Sequence, residues 1–349
     1  MGCGQSRPLR ACPCRDEERQ ASVHWRAALS CGKDEFRSGS MAKQRAKPQH
    51  VAEYVLLRIL GAVMRYTPVE IASWFGGRVM GVVMPLTSRH ARAKEHMALA
   101  MPELGEADRD RIARAMWRQL GRVFGEAFQL DKILADDRRI ILPDDFDDLI
   151  ELCRDGCVVA TAHYGNWEVA GAVAHRGGKQ LAGVYQALHN PLAERYLQRL
   201  RGPVYPAGLF AKGGDLGTRL IGLVRQGAAV GLVADLREKR GVQVQFFGQP
   251  AFATPLPAML ARMSGRPLVA GVVLREGGVK FRTFCEVIDV PHTDDRAADI
   301  QVATQRMHDA FERWIRAHPE QWMWTHRKWA QSRARPLVLK SLSEADVRS

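Results

Sequence analysis

Cys157-Val158-Val159-Ala160-Thr161-Ala162-His163-Tyr164-Gly165-Asn166-Trp167-Glu168 is the stretch whose reading decides the fold. Its first six residues form a short apolar run of strand length, and from Asn166 onward the pattern predicts a helix. Between them, Gly165 and Asn166 allow a sharp turn. Downstream the same alternation continues. Strands are expected at Leu181–Tyr185, Ala228–Ala234, Leu268–Leu274 and Val279–Val287, and helices at Pro191–Leu200, Leu216–Arg225, Pro257–Met263 and Ala297–Ala317. Strand and helix in alternation imply an α/β fold with a mixed, largely parallel sheet flanked by helices. No repeat of solenoid period interrupts it.

The residues that carry chemistry stand at strand ends. His163 follows the 157–162 run directly, Glu168 comes five residues later, and Asp235 follows the 228–234 run. Ligands of open α/β sheets bind outside the carboxyl ends of the strands, so all three belong to one edge. A histidine with a carboxylate beside it makes a general base whose tautomer is held and whose imidazolium is stabilised. The new helix N-terminus after Gly165 and Asn166 would offer amides to an oxyanion. A structural reading competes: His163 as a hydrogen-bonded structural residue, and Glu168 as a first-turn acid that complements a helix dipole. The spacing is not His-Glu-x-x-His. Neither a Gly-x-Ser-x-Gly elbow nor a phosphate-binding P-loop occurs.

Upstream, Val51–Met64 has a broad apolar face, and Thr67-Pro68 opens a second helix to about Met84 that carries Glu70 and Arg78. Neither is a run of ~20 residues free of charge, so an interfacial hairpin or one marginal span is expected, with a core hairpin as the alternative. Basic residues on both flanks (Lys43, Arg45, Lys47; Arg89, Arg92, Lys94) favour an anionic, cytoplasmic membrane face. A longer helix follows from Glu106 to Lys132, with Ile112, Met116, Leu120, Phe124 and Phe128 on one stripe. Near the other end, Trp314, Trp322, Trp324 and Trp329 cluster with His326, Arg327 and Lys328, a composition that suits either a membrane interface or packing on the sheet.

The chain of 349 residues is 46% hydrophobic and 26% charged, ordinary globular proportions that exclude general disorder. Its 51 Lys and Arg against 38 Asp and Glu leave a net charge of +13, which favours anionic partners. Cys3, Cys12, Cys14 and Cys31 lie near the start, and Cys153, Cys157 and Cys285 far from them. This uneven set suits a reducing cytosolic environment rather than a disulfide framework, and no Cys-x2-Cys pair supports zinc. Residues 1–40 lack any period and are expected to be disordered and dispensable, with functional protein beginning near Met41. Residues 41–86 are expected to be membrane-associating helices, 87–335 the α/β domain and 336–349 a tail.

His163-Tyr164-Gly165-Asn166-Trp167-Glu168 resembles the His-x4-acid block of glycerolipid acyltransferases, in the form found in bacterial lipid A biosynthesis late acyltransferases (the lauroyl/myristoyl family). Further blocks follow in that family's order: Asn190-Pro191, Arg199-Leu200-Arg201-Gly202, Ala234-Asp235, Phe246-Phe247-Gly248, Ala261-Arg262-Met263-Ser264-Gly265 and Pro319-Glu320-Gln321-Trp322-Met323-Trp324. The resemblance covers roughly residues 50–335. It implies transfer of a fatty acyl chain from acyl carrier protein to a hydroxyl of a Kdo-bearing lipid A precursor at the cytoplasmic face of the inner membrane. It implies His163 as general base with Glu168 as its partner, and Asn166, Arg201 and Asp235 as substrate-binding or supporting residues, Arg199 competing with Arg201. No cofactor, metal or nucleic acid is expected. Leu236 departs from the Gln or His the family often has there, and His96-Met97 departs from Asn-Leu, a position expected to be structural. Arg237, Lys239 and Arg240 would make the site mouth basic, or form a solvated loop. Other readings stay open: acylation of a phosphatidylinositol mannoside or a lysophospholipid, or a non-enzymatic basic lipid-binding protein.

Overall fold

The computed structural model describes residues 47–213 and 215–329. The extension 1–40, Lys43, Arg45 and the tail 336–349 lie outside the described residues. A seven-stranded sheet runs in the order β1-β9-β8-β2-β5-β3-β4. Its strands are β1 (Ile140–Ile141), β2 (Cys157–Gly165), β3 (Leu181–Tyr185), β4 (Gly208–Ala211), β5 (Ala229–Val233), β8 (Leu268–Gly277) and β9 (Lys280–Ile288). All neighbours are parallel except β8 and β9, which form an antiparallel hairpin. β6 (Arg237–Phe246) and β7 (Gln249–Ala253) form a separate antiparallel ribbon that the periodicity did not reveal. Phe247 and Gly248, both at positive φ (57° and 67°), make its tight turn. Phe247 tolerates that conformation because its ring packs against Trp322 and Trp324, with the Arg316 guanidinium over its face.

The helices around the sheet are α1 (Pro48–Tyr66), α2 (Val69–Val83), α3 (Ser88–Ala100), α4 (Glu106–Glu126), α5 (Leu130–Leu134), α6 (Phe146–Leu152), α7 (Ala172–Arg176), α8 (Pro191–Arg201), α9 (Leu216–Arg225), α10 (Leu256–Ser264) and α11 (Arg296–Ala317). The helix expected over 106–132 is broken by a 3-10 turn at Ala127–Gln129. Ile112, Met116, Leu120 and Phe128 are buried as the stripe predicts, but Phe124 is exposed. Likewise, the helix expected from Asn166 is only a 3-10 turn, Trp167–Val169, followed by the short α7.

Both readings of the N-terminal helices contain part of the outcome. α2 lies so close to α4 that a Cβ on Gly76 would stand 2.3 Å from the carbonyl oxygen of Gly121. Ala72 and Ser73 on the same face are buried. α1 is tied to the α/β layer by the bidentate Arg65–Asp131 pair and by Asn190, which donates to the His50 carbonyl and the Glu53 carboxylate. The opposite faces stay open: Leu56, Ile59 and Val63 of α1 and Trp74, Phe75 and Val82 of α2 are exposed. Among the described residues no helix is long and apolar enough to cross a membrane.

Candidate active site

β2 and β5 are neighbours in parallel register, with Thr161 opposite Val233, so the residues just beyond, His163 and Asp235, emerge side by side. Strands ~4.8 Å apart bring such side chains into contact. His163 Nδ1 lies 2.8 Å from Asp235 Oδ1, and the His163 backbone N–H donates to Oδ2 at 3.0 Å. Trp322 Nε1–H donates to the same Oδ2 at 2.8 Å. Trp322 reaches it because the final segment pairs with the end of β2: Tyr164 bridges Trp322, and the Met323 N–H donates to the His163 carbonyl. Full burial alone would raise the Asp235 carboxyl. The His163 charge and hydrogen bond, with the Trp322 donor, outweigh it and hold the group well below the usual carboxylate range. An ionised carboxylate only accepts, so Nδ1 carries the proton, and in the neutral imidazole Nε2 keeps its lone pair.

The expected His163–Glu168 pair is therefore not the contact the structure makes. Gly165, at φ 55°, turns the chain away from the strand, and Glu168 faces α8 instead. There Arg201 grips it with two bonds, Nε to Oε2 at 2.9 Å and a terminal nitrogen to Oε1 at 2.5 Å. Arg199, the competing arginine, is exposed. Asn166 is fully buried and acts as a strut. Its amide donates to Glu126 Oε2 at 2.7 Å, and its oxygen accepts the Glu168 N–H at 3.2 Å. That N–H is thus taken, and the three-residue turn supplies no long-helix N-terminus for an oxyanion.

Behind Asn166 lies a buried network that periodicity could not reveal. Glu126, fully buried, is held by Arg275 at 2.6 and 2.8 Å and receives the Ser73 hydroxyl at 2.6 Å. A buried ion pair of this geometry positions its neighbours more surely than it stabilises the fold. The Trp-rich segment is core rather than interface for Trp322 and Trp324, which are 1% and 0% exposed. His96 is structural in form, its Nδ1 2.7 Å from the Trp324 carbonyl. A second imidazole, His326, stands 5.2 Å from the His163 ring, and its Nε2 is buried without a hydrogen-bond partner. Burial, aided by the His163 charge, pushes it down to about 4. Lys328, 1% exposed, lies 3.0 Å from His308 Nε2, and burial brings its ammonium down to about 7.

His163, Trp167, Glu168 and Arg201 border a cavity of about 250 Å³ that extends over the sheet face to Cys153 and Cys157. Past its polar mouth the walls are mostly apolar, with Val159, Val269 and Leu181 from the sheet and Leu149, Ile150 and Val173 from α6 and α7, while Lys179 stands near Cys153 and Cys157. Leu236 lines it as well. A base with a free lone pair beside a narrow apolar cavity can activate a hydroxyl against a group carried on a hydrocarbon chain.

Two curated relatives are phosphatidylinositol mannoside acyltransferases of Mycobacterium tuberculosis. That of strain ATCC 25618 / H37Rv is 29% identical over 228 residues, 62% of each chain. That of strain CDC 1551 / Oshkosh is 29% identical over 224 residues, again 62% of each chain. The matches thus span less than two thirds of those relatives. The bacterial lipid A biosynthesis acyltransferase family matches over residues 41–331, most of the chain and every element of the site, and the protein belongs to that family.

Proposed function

We propose that this protein is a membrane-associated O-acyltransferase that moves a fatty acyl chain from acyl carrier protein to a hydroxyl of a Kdo-bearing lipid A precursor. The observation that carries this reading is the His163–Asp235 pair at the mouth of the apolar cavity. His163 Nε2 takes the proton of the acceptor hydroxyl as its oxygen attacks the thioester carbonyl. Asp235 holds Nδ1–H and stabilises the imidazolium. Collapse of the tetrahedral intermediate breaks the carbon–sulfur bond, and the departing thiolate recovers the proton from His163. Arg201, paired with Glu168, fastens the turn that follows His163 at the mouth.

The net charge of +13 supports an acidic carrier protein and a phosphorylated lipid as partners. The exposed apolar residues of α1 and α2 support docking on the cytoplasmic face of the inner membrane. Deleting these helices would remove Ser73 and Gly76 from the core. Polar substitutions at Leu56, Ile59, Trp74 and Phe75 therefore test docking, with loss of flotation on anionic vesicles expected. The mannoside acyltransferase relatives favour a second reading, in which the acceptor is a phosphatidylinositol mannoside.

Purified protein given acyl-loaded carrier and each acceptor in turn, with products read by mass spectrometry, separates these readings. Acylated lipid A precursor, absent with His163→Ala, is the expected result. Product only from the mannoside selects the second acceptor, and vesicle binding without transfer to any acceptor leaves a lipid-binding protein.

A further inference from the structure

Gly231 sits in the middle of β5, a position where glycine forgoes both side-chain packing and strand propensity. It lines the cavity directly opposite Val159 of β2. A Cβ built there would meet only Leu181 Cδ1 at 3.5 Å and the Ala182 carbonyl at 3.6 Å, ordinary contacts. Gly171 on the opposite wall differs: its Cβ would stand 2.6 Å from Leu181. A side chain at 171 would therefore have to displace Leu181, whereas one at 231 would displace nothing. What the missing side chain at 231 leaves is open cavity.

β2 supplies a scale for that space. Cys157, Val159, Thr161 and His163 alternate onto the cavity face. His163 is at the mouth, and Leu149, Cys153 and Cys157, all buried, line the far end. Six residues of parallel strand span ~20 Å, and the four from His163 to Val159 span ~13 Å. An extended alkyl chain built from ~1.5 Å bonds at tetrahedral angles advances roughly 1.3 Å per carbon. On that scale the far end corresponds to about fourteen to sixteen carbons and the level of Gly231 to about ten.

We infer that the cavity measures the acyl chain, with Gly231 as the specificity-determining position that lets chains of about fourteen to sixteen carbons pass to the end wall at Cys153 and Cys157. This rests on the proposed acyl transfer. Filling position 231 shortens the ruler without touching the His163–Asp235 pair.

The test is Gly231→Val, a substitution that strand geometry favours. Purified wild type and variant are given a series of acyl-loaded carriers from eight to eighteen carbons. In parallel, each is titrated with the free fatty acids by displacement of a fluorescent fatty acid. The expected variant loses roughly tenfold or more in kcat/KM and in affinity for the long chains, while the ten-carbon chain stays within about threefold. Gly231→Ala gives the same shift in smaller measure, and carries the test should the valine variant fail to fold. Equal loss at every chain length, or an unchanged profile in both variants, overturns the ruler. A chain-length shift in binding with no transfer by either protein upholds the ruler and overturns the acyltransferase reading instead.

Discussion

Glu168 is five residues from His163 in the chain, and Asp235 is seventy-two residues away. The distant acid bonds the imidazole and the near one does not. Asp235 leaves the strand adjacent to β2, so sheet register alone delivers it to Nδ1. Glu168 lies beyond a turn made by Gly165, and its charge is spent on Arg201 of α8. The fixed His-x4-acid spacing therefore does not describe one dyad. It describes an imidazole held by another strand's carboxylate and, past a turn, an anchor that fastens the site loop to a neighbouring helix.

The sharpest way to break this comparison is mutational. His163→Ala should lower kcat by ~10³ to 10⁴, and Asp235→Asn, which keeps shape but loses the charge that holds the tautomer, by a similar factor. The double variant should be little worse than either single, because the two act as a unit. Glu168→Ala should cost less, roughly ten- to a hundredfold, since it loosens geometry rather than removing the base. Combined with Asp235→Asn, its loss should multiply. Steady-state kinetics on these five variants and on the His163→Ala/Glu168→Ala double checks both statements, and a Glu168 effect that vanishes once His163 is gone, together with an Asp235 effect that multiplies, would reverse the assignment.

A smaller effect concerns pH. His326 is held at about 4 in the folded protein against an ordinary value of 6.5. Between those values the unfolded chain binds the additional proton, so stability falls as pH drops through the window and levels off near its lower end. His308, lowered by burial and by the charge of Lys328, acts in the same direction. Asp235, held low, loses its contribution only on further acidification below about pH 4. His326→Gln should therefore flatten the decline of Tm between pH 6.5 and 4.5 and leave Tm near pH 8 within a few degrees, as melts across pH would reveal. An unaltered slope would place the acid sensitivity elsewhere, with His308→Gln the next variant.

The smallest expected effect sharpens the comparison between the two arginines of α8. Arg199 is exposed, and its replacement by Ala should leave turnover within about twofold. Arg201→Ala should approach the Glu168→Ala loss, because it removes the other half of the anchor.

The alternation of strand and helix, the placing of His163 and Asp235 at one edge and the amphipathic character of α1 and α2 were all legible in the sequence. Each is a property of residues close together in the chain, where apolar period and turn chemistry act. Which strands lie side by side is not such a property. The β2–β5 pairing that joins His163 to Asp235, the burial of Trp322 against that carboxylate, and the cavity between Val159 and Gly231 depend on contacts across dozens of residues. The same holds for α2: its sequence displays an apolar surface, but only the approach of Gly76 to Gly121 decides which side is packed and which is left open. Periodicity states that a face will be buried, whereas the partner is chosen by the sum of long-range packing, and in this protein that choice assigned the Asp235 carboxylate to the His163 imidazole.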